Sequence, residues 1–170
     1  MAQRIGLISD THSFLDERVM HHFADCDQIW HAGDIGTMAL AEKLATFKPF
    51  KAVYGNIDDK TIQAAFPENL IFEVERKKIL ITHIGGRPTK YPARVKAILK
   101  HEKPDIYICG HSHILMVQSD ADWGNMLFIN PGAAGNEGFH KIRTIMKFDI
   151  NDTKVENMKV IELGRRGGVV

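Results

Sequence analysis

Five short apolar runs, each broken by a Gly, Asp, Asn or His, constrain this chain more than any other feature. They are Ile5-Gly6-Leu7-Ile8-Ser9-Asp10-Thr11-His12, Ile29-Trp30-His31-Ala32-Gly33-Asp34, Ala52-Val53-Tyr54-Gly55-Asn56, Ile79-Leu80-Ile81-Thr82-His83 and Ile106-Tyr107-Ile108-Cys109-Gly110-His111-Ser112-His113. Short unbroken apolar runs without polar alternation read as strands buried on both faces. In an open α/β sheet, chemistry gathers beyond the carboxyl ends of the strands. Asp10, His12, Asp34, Asn56, His83, His111 and His113 are therefore expected to converge, although they span about 100 residues. Imidazole and oxygen ligands in that mixture suit a pair of divalent metal ions.

The segments between the runs carry helical spacing. After Asp10, Leu15-Asp16-Glu17-Arg18-Val19-Met20-His21-His22-Phe23 repeats its apolar residues at helical intervals. Met38-Ala39-Leu40-Ala41-Glu42-Lys43-Leu44 does the same and ends before Pro49. A third helix is predicted around Tyr91 to His101, with Val95, Ile98 and Leu99 on one face and Pro104 as its stop. The second half changes style. Leu70 to Glu75 and Lys78 to Thr82 flank a two-residue turn and read as a hairpin. Leu115 to Ser119, Met126 to Asn130, Thr144 to Ile150 and Val155 to Leu163 are further strands, with turns at Asp122-Trp123-Gly124-Asn125 and Asn151-Asp152-Thr153-Lys154. Parallel βαβ units followed by an antiparallel meander predict two packed sheets with helices outside.

At 170 residues and 44% hydrophobic content, the chain supplies one core. No run of about 18 or more apolar residues predicts a membrane span, and no secretory leader precedes the strand at Arg4-Ile5. Cys26 and Cys109 form no CxxC pair and read as reduced thiols of a cytoplasmic protein. A net charge of +1 calls for neither a nucleic-acid nor a membrane partner. Arg76-Lys77-Lys78 reads as a solvated turn, and residues 164–170 as a flexible C-terminal tail after one domain over 1–163.

Asp10 and His12 stand two residues apart in a segment read as extended, so they project to one side and can grip one ion. His111 and His113 repeat that spacing. Asp34, with two carboxylate oxygens, can bridge two ions, and Asn56 can offer a neutral amide oxygen. Charge counting favours the mixture. Two divalent ions are only partly neutralised by Asp10, Asp34 and a bridging hydroxide, and neutral His and Asn ligands leave the remainder in place. The residual charge attracts a phosphate anion and lowers the pKa of bound water.

Asp10-Thr11-His12, Gly33-Asp34, Gly55-Asn56, His83 and Gly110-His111-Ser112-His113, in this order, resemble the motifs of the calcineurin-like metallophosphoesterase superfamily. The resemblance covers most of the chain and comes nearest to the small, single-domain bacterial and archaeal phosphodiesterase branch, whose Asn-Pro-Gly turn is matched by Asn130-Pro131-Gly132-Ala133. It implies a four-layer αββα sandwich of two mixed β-sheets flanked by helices. It also implies one ion held by Asp10, His12, Asp34 and His113, and another held by Asp34, Asn56, His83 and His111. The implied activity is a two-metal phosphodiesterase in which metal-bound hydroxide attacks phosphorus, with Asp34, Asn56 and His83 as catalytic residues. Mn²⁺ is the first choice of metal, with Ni²⁺, Fe, Co²⁺ or Zn²⁺ as alternatives. The expected partner is a small phosphodiester substrate rather than nucleic acid, and a homo-oligomer stays open. The rival readings are a nuclease using the same centre and a non-catalytic metal-binding scaffold.

One position departs from the wider family. Many members have a His directly after the Gly-Asn motif, where it protonates the leaving group; here Ile57 stands there and cannot donate a proton. The small branch often lacks this His too. Asp58 and Asp59 read as turn groups or supports of the ligands. His31 reads either as a partner of the ligands or as a satisfied core histidine. His21, His22, His101 and His140 read as surface residues. Arg87, Lys90 and Arg94 read as a solvated face, with phosphate binding as the rival.

Overall fold

Two five-stranded sheets face each other across the apolar runs. The computed structural model describes residues 1–168, and Val169 and Val170, at the end of the expected tail, lie outside the described residues. The first sheet has the order β10 (Lys154–Arg165), β9 (Ile142–Asn151), β1 (Gln3–Ile8), β2 (Gln28–His31), β3 (Phe50–Ala52). The second has β4 (Asn69–Val74), β5 (Lys77–Thr82), β6 (Ile106–Ile108), β8 (Met126–Asn130), β7 (Met116–Asp120). β1, β2 and β3 run parallel, as do β5, β6 and β8; the outer strands are antiparallel, so both sheets are mixed.

Strand alternation sorts the side chains into layers. Ile5 and Leu7 of β1, Trp30 of β2, Ile79 and Ile81 of β5, Ile106 and Ile108 of β6, and Met146 and Phe148 of β9 meet between the sheets. Ile8, Ile29 and Ile145 point the other way and pack on α1 (Glu17–His22), α2 (Met38–Phe47) and α3 (Lys60–Ala65) through Val19, Leu44 and Ile62. On the far side, Leu80, Tyr107 and Phe128 pack on α4 (Ala93–Glu102) through Val95 and Leu99. Helix, sheet, sheet and helix form the four layers that the resemblance implied.

Several local expectations need correction. The segment Leu15–Phe23 is helical only over Glu17–His22, because Asp16 turns its carboxylate onto the Arg18 amide and caps the helix there. Helix α3 had no counterpart in the sequence reading. It has six residues, buries one apolar residue, Ile62, and begins where Asp59 accepts from the Ile62 amide. The expected antiparallel meander is absent among the described residues. β8 is buried along its length and takes an inner place parallel to β6, while β7, mostly exposed, is left at the edge. β9 and β10 then cross to the first sheet. The last strand runs to Arg165, and beyond it the Gly167 amide donates to Asn136 Oδ1 at 3.0 Å. Among the described residues, no helix is long and apolar enough to cross a membrane.

A buried ion pair ties the end of β10 to the start of α1. Arg143 Nη1 donates to Asp16 Oδ2 at 2.9 Å, and Arg143 Nη2 donates to the Leu163 carbonyl at 2.8 Å. Hydrogen bonds from Arg18, and then from Arg143, hold the Asp16 carboxyl well below the usual carboxylate range, against its burial. Removing one member of a buried pair leaves the other charge uncompensated, at a cost of about 3–5 kcal/mol. Asp16→Asn keeps the cap and removes the charge, so it is expected to lose about 3 kcal/mol at pH 7 in urea unfolding. Because the folded pKa is depressed, this stability is present above the unfolded value of about 3.9 and is lost as pH falls below it. The parent–variant gap should therefore narrow between pH 5 and pH 3. An equal gap at both would show that the carboxylate charge is not its source.

Candidate metal centre

The carboxyl ends of β1, β2, β3, β5 and β6 open onto one edge of the sandwich, and the loops that leave them are tied to one another. The His12 amide donates to the Asp34 carbonyl at 3.0 Å, Asp10 to Gly33 at 3.0 Å, and Gly110 to His83 at 3.1 Å. Asp58 accepts from the amides of Ile35, Gly36 and Gly55, clamping the loops after β2 and β3. Asn130 Nδ2 donates to the Gly110 carbonyl and to Ser112 Oγ, both at 3.0 Å, and so braces the loop that carries His111 and His113.

The seven expected side chains converge here. Asp10, His12 and His113 form one group and Asp34, His83 and His111 another, with ligand atoms in each within 4.8 Å of one another. Asn56 Oδ1 lies 3.1 Å from His83 Nε2 and 2.9 Å from His111 Nδ1. His111 and His113, expected to share an ion from their spacing, point into different groups. The backbone explains why. Asp10, His12, Asp34, His111 and His113 all have positive φ, between 46° and 67°, so the alternation of an extended strand does not govern them. Left-handed backbone at a non-glycine residue costs about 1–3 kcal/mol and concentrates at functional sites.

Asp10, Asp34, His83 and His113 are each held by one atom and leave another facing inward. Asp10 Oδ2 accepts from Ser9 Oγ at 2.6 Å and from the His111 amide at 3.2 Å, leaving Oδ1. Asp34 Oδ1 accepts from the Ile57 amide at 3.1 Å, leaving Oδ2 beside His83 Nε2 at 3.1 Å and His12 Nε2 at 3.4 Å. His83 Nδ1 faces the Ala32 carbonyl at 2.8 Å. A carbonyl only accepts, so Nδ1 carries the proton and the Nε2 lone pair points inward.

His113 is set the same way, through a relay. His140 Nε2 faces the Gly135 carbonyl at 2.8 Å and must donate to it, so His140 Nδ1 accepts from His113 Nδ1 at 3.1 Å. The His113 Nε2 lone pair is thereby turned toward Asp10 Oδ1, 3.0 Å away. His140 was expected at the surface, and this corrects that reading. It sits alone in a loop, with neither periodicity nor a neighbouring motif to mark it.

The result is a knot of lone pairs aimed at one another. Asp10 Oδ1 and His12 Nε2 are buried and have no hydrogen-bond partner among the described residues. Their short contacts with His113 and Asp34 bring the charges close but lack hydrogen-bond geometry, so these contacts count as proximity only. Contact with the Asp34 carboxylate raises the His12 pKa. Burial would lower that of His83, but Asp34 and Asp10 raise it. Burial would likewise raise the Asp34 carboxyl, yet His12 and His83 hold it well below the carboxylate range. The field thus favours cations, and the donor set fits divalent metal ions.

Two glycines make the close approach workable. A Cβ at Gly110 would lie 2.2 Å from Ser9 Oγ and 2.6 Å from Asp10 Oδ2. A Cβ at Gly55 would lie 2.0 Å from Asp34 Oδ1. His31 is fully buried, with its pKa pushed down to about 3 by desolvation. Its Nδ1 accepts from the Gly33 amide and its Nε2 meets Thr11 Oγ1 at 2.9 Å, so neither nitrogen is free for a ligand. Arg94 is spent on Asn69, Thr82 and the Ile84 carbonyl, while Arg87 and Lys90 are exposed.

Comparison with known proteins agrees with this geometry. Residues 3–153 match the family model of the calcineurin-like phosphoesterase superfamily domain. A protein of Methanothermobacter thermautotrophicus named as a probable metallophosphoesterase is 30% identical over 134 residues, covering 76% of each chain. Wild-type Vps29 of Entamoeba histolytica, solved in complex with Zn²⁺, superposes with a TM-score of 0.73 at 18% identity, over 94% of this chain and 98% of that one. A conserved protein of Streptococcus pneumoniae TIGR4, described as a predicted phosphoesterase, superposes with a TM-score of 0.69 at 24% identity, over 95% and 98%. At these identities the two structures speak for the fold alone.

Proposed function

This chain belongs to the calcineurin-like phosphoesterase superfamily, and from that premise we propose that it hydrolyses small phosphodiesters with two divalent metal ions. The observation that carries the reading is the inward-facing lone-pair set, with Asp10 Oδ1 and His12 Nε2 left unpartnered. In this reading Asp10, His12 and His113 hold one ion, Asn56, His83 and His111 hold the other, and Asp34 lies between them. Manganese is the ion proposed first; nickel, iron, cobalt and zinc suit the same donors. Bound ions supply Lewis-acid charge to the phosphoryl oxygens and lower the pKa of a coordinated water.

The chain's own residues set the rest. Asn56 and the histidines are neutral ligands, so two carboxylates leave net positive charge to draw an anionic diester. Ser9, Ile57, Ala32 and His140 each fix one atom of a ligand, so the inward atoms are preorganised. Ile57 offers no proton to a departing oxygen. The reading places the protein in the cytoplasm, where the unpaired, buried Cys26 and Cys109 remain reduced.

A second reading has its own observation. Ile57, Ile84, Ile114 and Leu115 are exposed on the loops around the site. An aliphatic rim suits a metal-dependent binding module that holds ions without turnover. Elemental analysis after manganese loading, followed by assays against aryl phosphodiesters, phosphomonoesters and linear DNA, separates the readings. The phosphodiesterase reading expects about two ions per chain and turnover of the diesters first. Two ions without turnover would favour the binding module, DNA cleavage would favour a nuclease, and a folded protein that takes up no ion would sink all three. Removing the outer support of a ligand typically costs about 10–100-fold in metal affinity. His140→Ala is therefore expected to weaken manganese binding by at least about tenfold in calorimetry. His101→Ala, on the exposed end of α4, should leave it unchanged.

A further inference from the structure

Beside the candidate metal centre lies a cavity of about 370 Å³. Gly110, His111 and Ser112 form part of its wall, so it is continuous with the group Asp34, His83 and His111. Ile84, Ile114, Met116 and Phe128 make the remainder largely apolar. Ile114 is 60% exposed and Ile84 42% exposed, so apolar surface stands open to water beside a charged site. Asn130 Nδ2 is already spent on Gly110 and Ser112. The Ser112 hydroxyl accepts from Asn130 and from the Ile114 amide and keeps its own proton for a ligand. With apolar side chains forming most of the wall, recognition here is mainly by shape and burial. Arg87 and Lys90 line the same cavity and form no salt bridge among the described residues, which favours an anionic ligand. The cleft on the other side of Ile84 differs: it is lined by Glu68, whose carboxylate would repel that anion, and by Arg94.

We propose that this cavity seats one apolar ester arm, of the size of an aryl group, from the phosphoester whose phosphorus lies at the metal centre. The proposal rests on the phosphodiesterase reading and names its substrate class: diesters with at least one aryl or bulky aliphatic arm. The volume falls within the range of pockets that bury small organic ligands. One aromatic ring taken from water into an apolar wall is worth about tenfold or more in affinity.

The test uses phosphonates, whose P–C bond resists hydrolysis, so that binding is read apart from turnover. Calorimetry on the manganese-loaded protein compares methylphosphonate with benzyl- and 2-phenylethylphosphonate. The aryl members are expected to bind at least about tenfold more tightly. Ile114→Asn, at an exposed position, and Met116→Gln should each erase most of that gap and leave methylphosphonate binding unchanged. Equal affinity along the series, a gap that survives both substitutions, or no binding by any member would overturn the pocket. Turnover of an activated diester by the same sample then decides separately whether the phosphodiesterase reading stands.

Discussion

Asp34→Ala is expected to lower phosphodiester turnover by about 10³-fold or more, beyond the 10–100-fold typical of an outer support. The size follows from position. Asp34 is 2% exposed, has one oxygen fixed by the Ile57 amide, and turns the other to His12 and His83. It is the only carboxylate in its group of ligands and lies beside His12 of the other. Its loss removes a charge from both halves of the site, and the two cannot compensate for each other. Three readouts should move together. Elemental analysis should fall well short of two ions per chain, turnover should collapse, and the rise in Tm on adding manganese should vanish. In the parent, ligand at about 100 times Kd adds about 2.7 kcal/mol of stability. Full metal content with lost turnover would leave Asp34 a role in the reaction but not in holding ions. Unchanged turnover would remove it from the site.

The lone-pair crowding also acts in the metal-free protein. Acceptors facing acceptors are stabilised only by a cation, whether proton or metal. Removing Asp34 takes one acceptor out of that crowd but also strips His12, His83 and the Ile57 amide of their partner, so the metal-free variant should itself be less stable than the metal-free parent by about 1–3 kcal/mol. The stability that manganese adds would be lost on top of this.

Much of this was legible because it is local. Ile79-Leu80-Ile81 and Ile106-Tyr107-Ile108 are apolar on both faces, since one face meets the opposing sheet and the other meets α4. That double burial produces unbroken runs, and the runs mark where the strands end and the chemistry begins. The site residues follow as the first polar groups past those ends. What was not legible depends on partners far away in sequence. The parallel pairing of β8 with β6 is decided by which strand is buried enough to sit inside, not by any turn signal. The short helix α3 has one buried residue and no periodicity to read. Asp16 and Arg143 are separated by 127 positions and neither lies in a motif. His140 is recognisable only once its ring is seen between Gly135 and His113. Asp10 and His12 do not lie on the extended backbone that their spacing suggests. Their left-handed φ values mean that they meet because the loop curls, held by Gly33 and Asp34 carbonyls.

Turnover of aryl phosphodiesters should fall steeply as leaving-group pKa rises. A departing oxygen that receives no proton must leave as an anion, so its stability controls the rate. The chain offers few donors to relieve this. Ile57 stands 44% exposed directly after Asn56, and its side chain has no proton to give. His31 is fully buried with both nitrogens engaged, and His140 spends one nitrogen on Gly135 and the other on His113. General acid catalysis is worth about 10²–10⁴-fold where it operates. Ile57→His places an imidazole on the rim without disturbing the backbone amide that holds Asp34. It is therefore expected to raise turnover of diesters with poor leaving groups by about 10–100-fold, short of the full range because the new ring is not preorganised. Nitrophenyl diesters, whose leaving group needs no proton, should change little. The measurement is the slope of log kcat/KM against leaving-group pKa in parent and variant. A parent slope near zero would mean that a proton already reaches the leaving oxygen from a group outside this set. A steep slope that Ile57→His leaves untouched would mean that the leaving oxygen departs on a side that position 57 does not face.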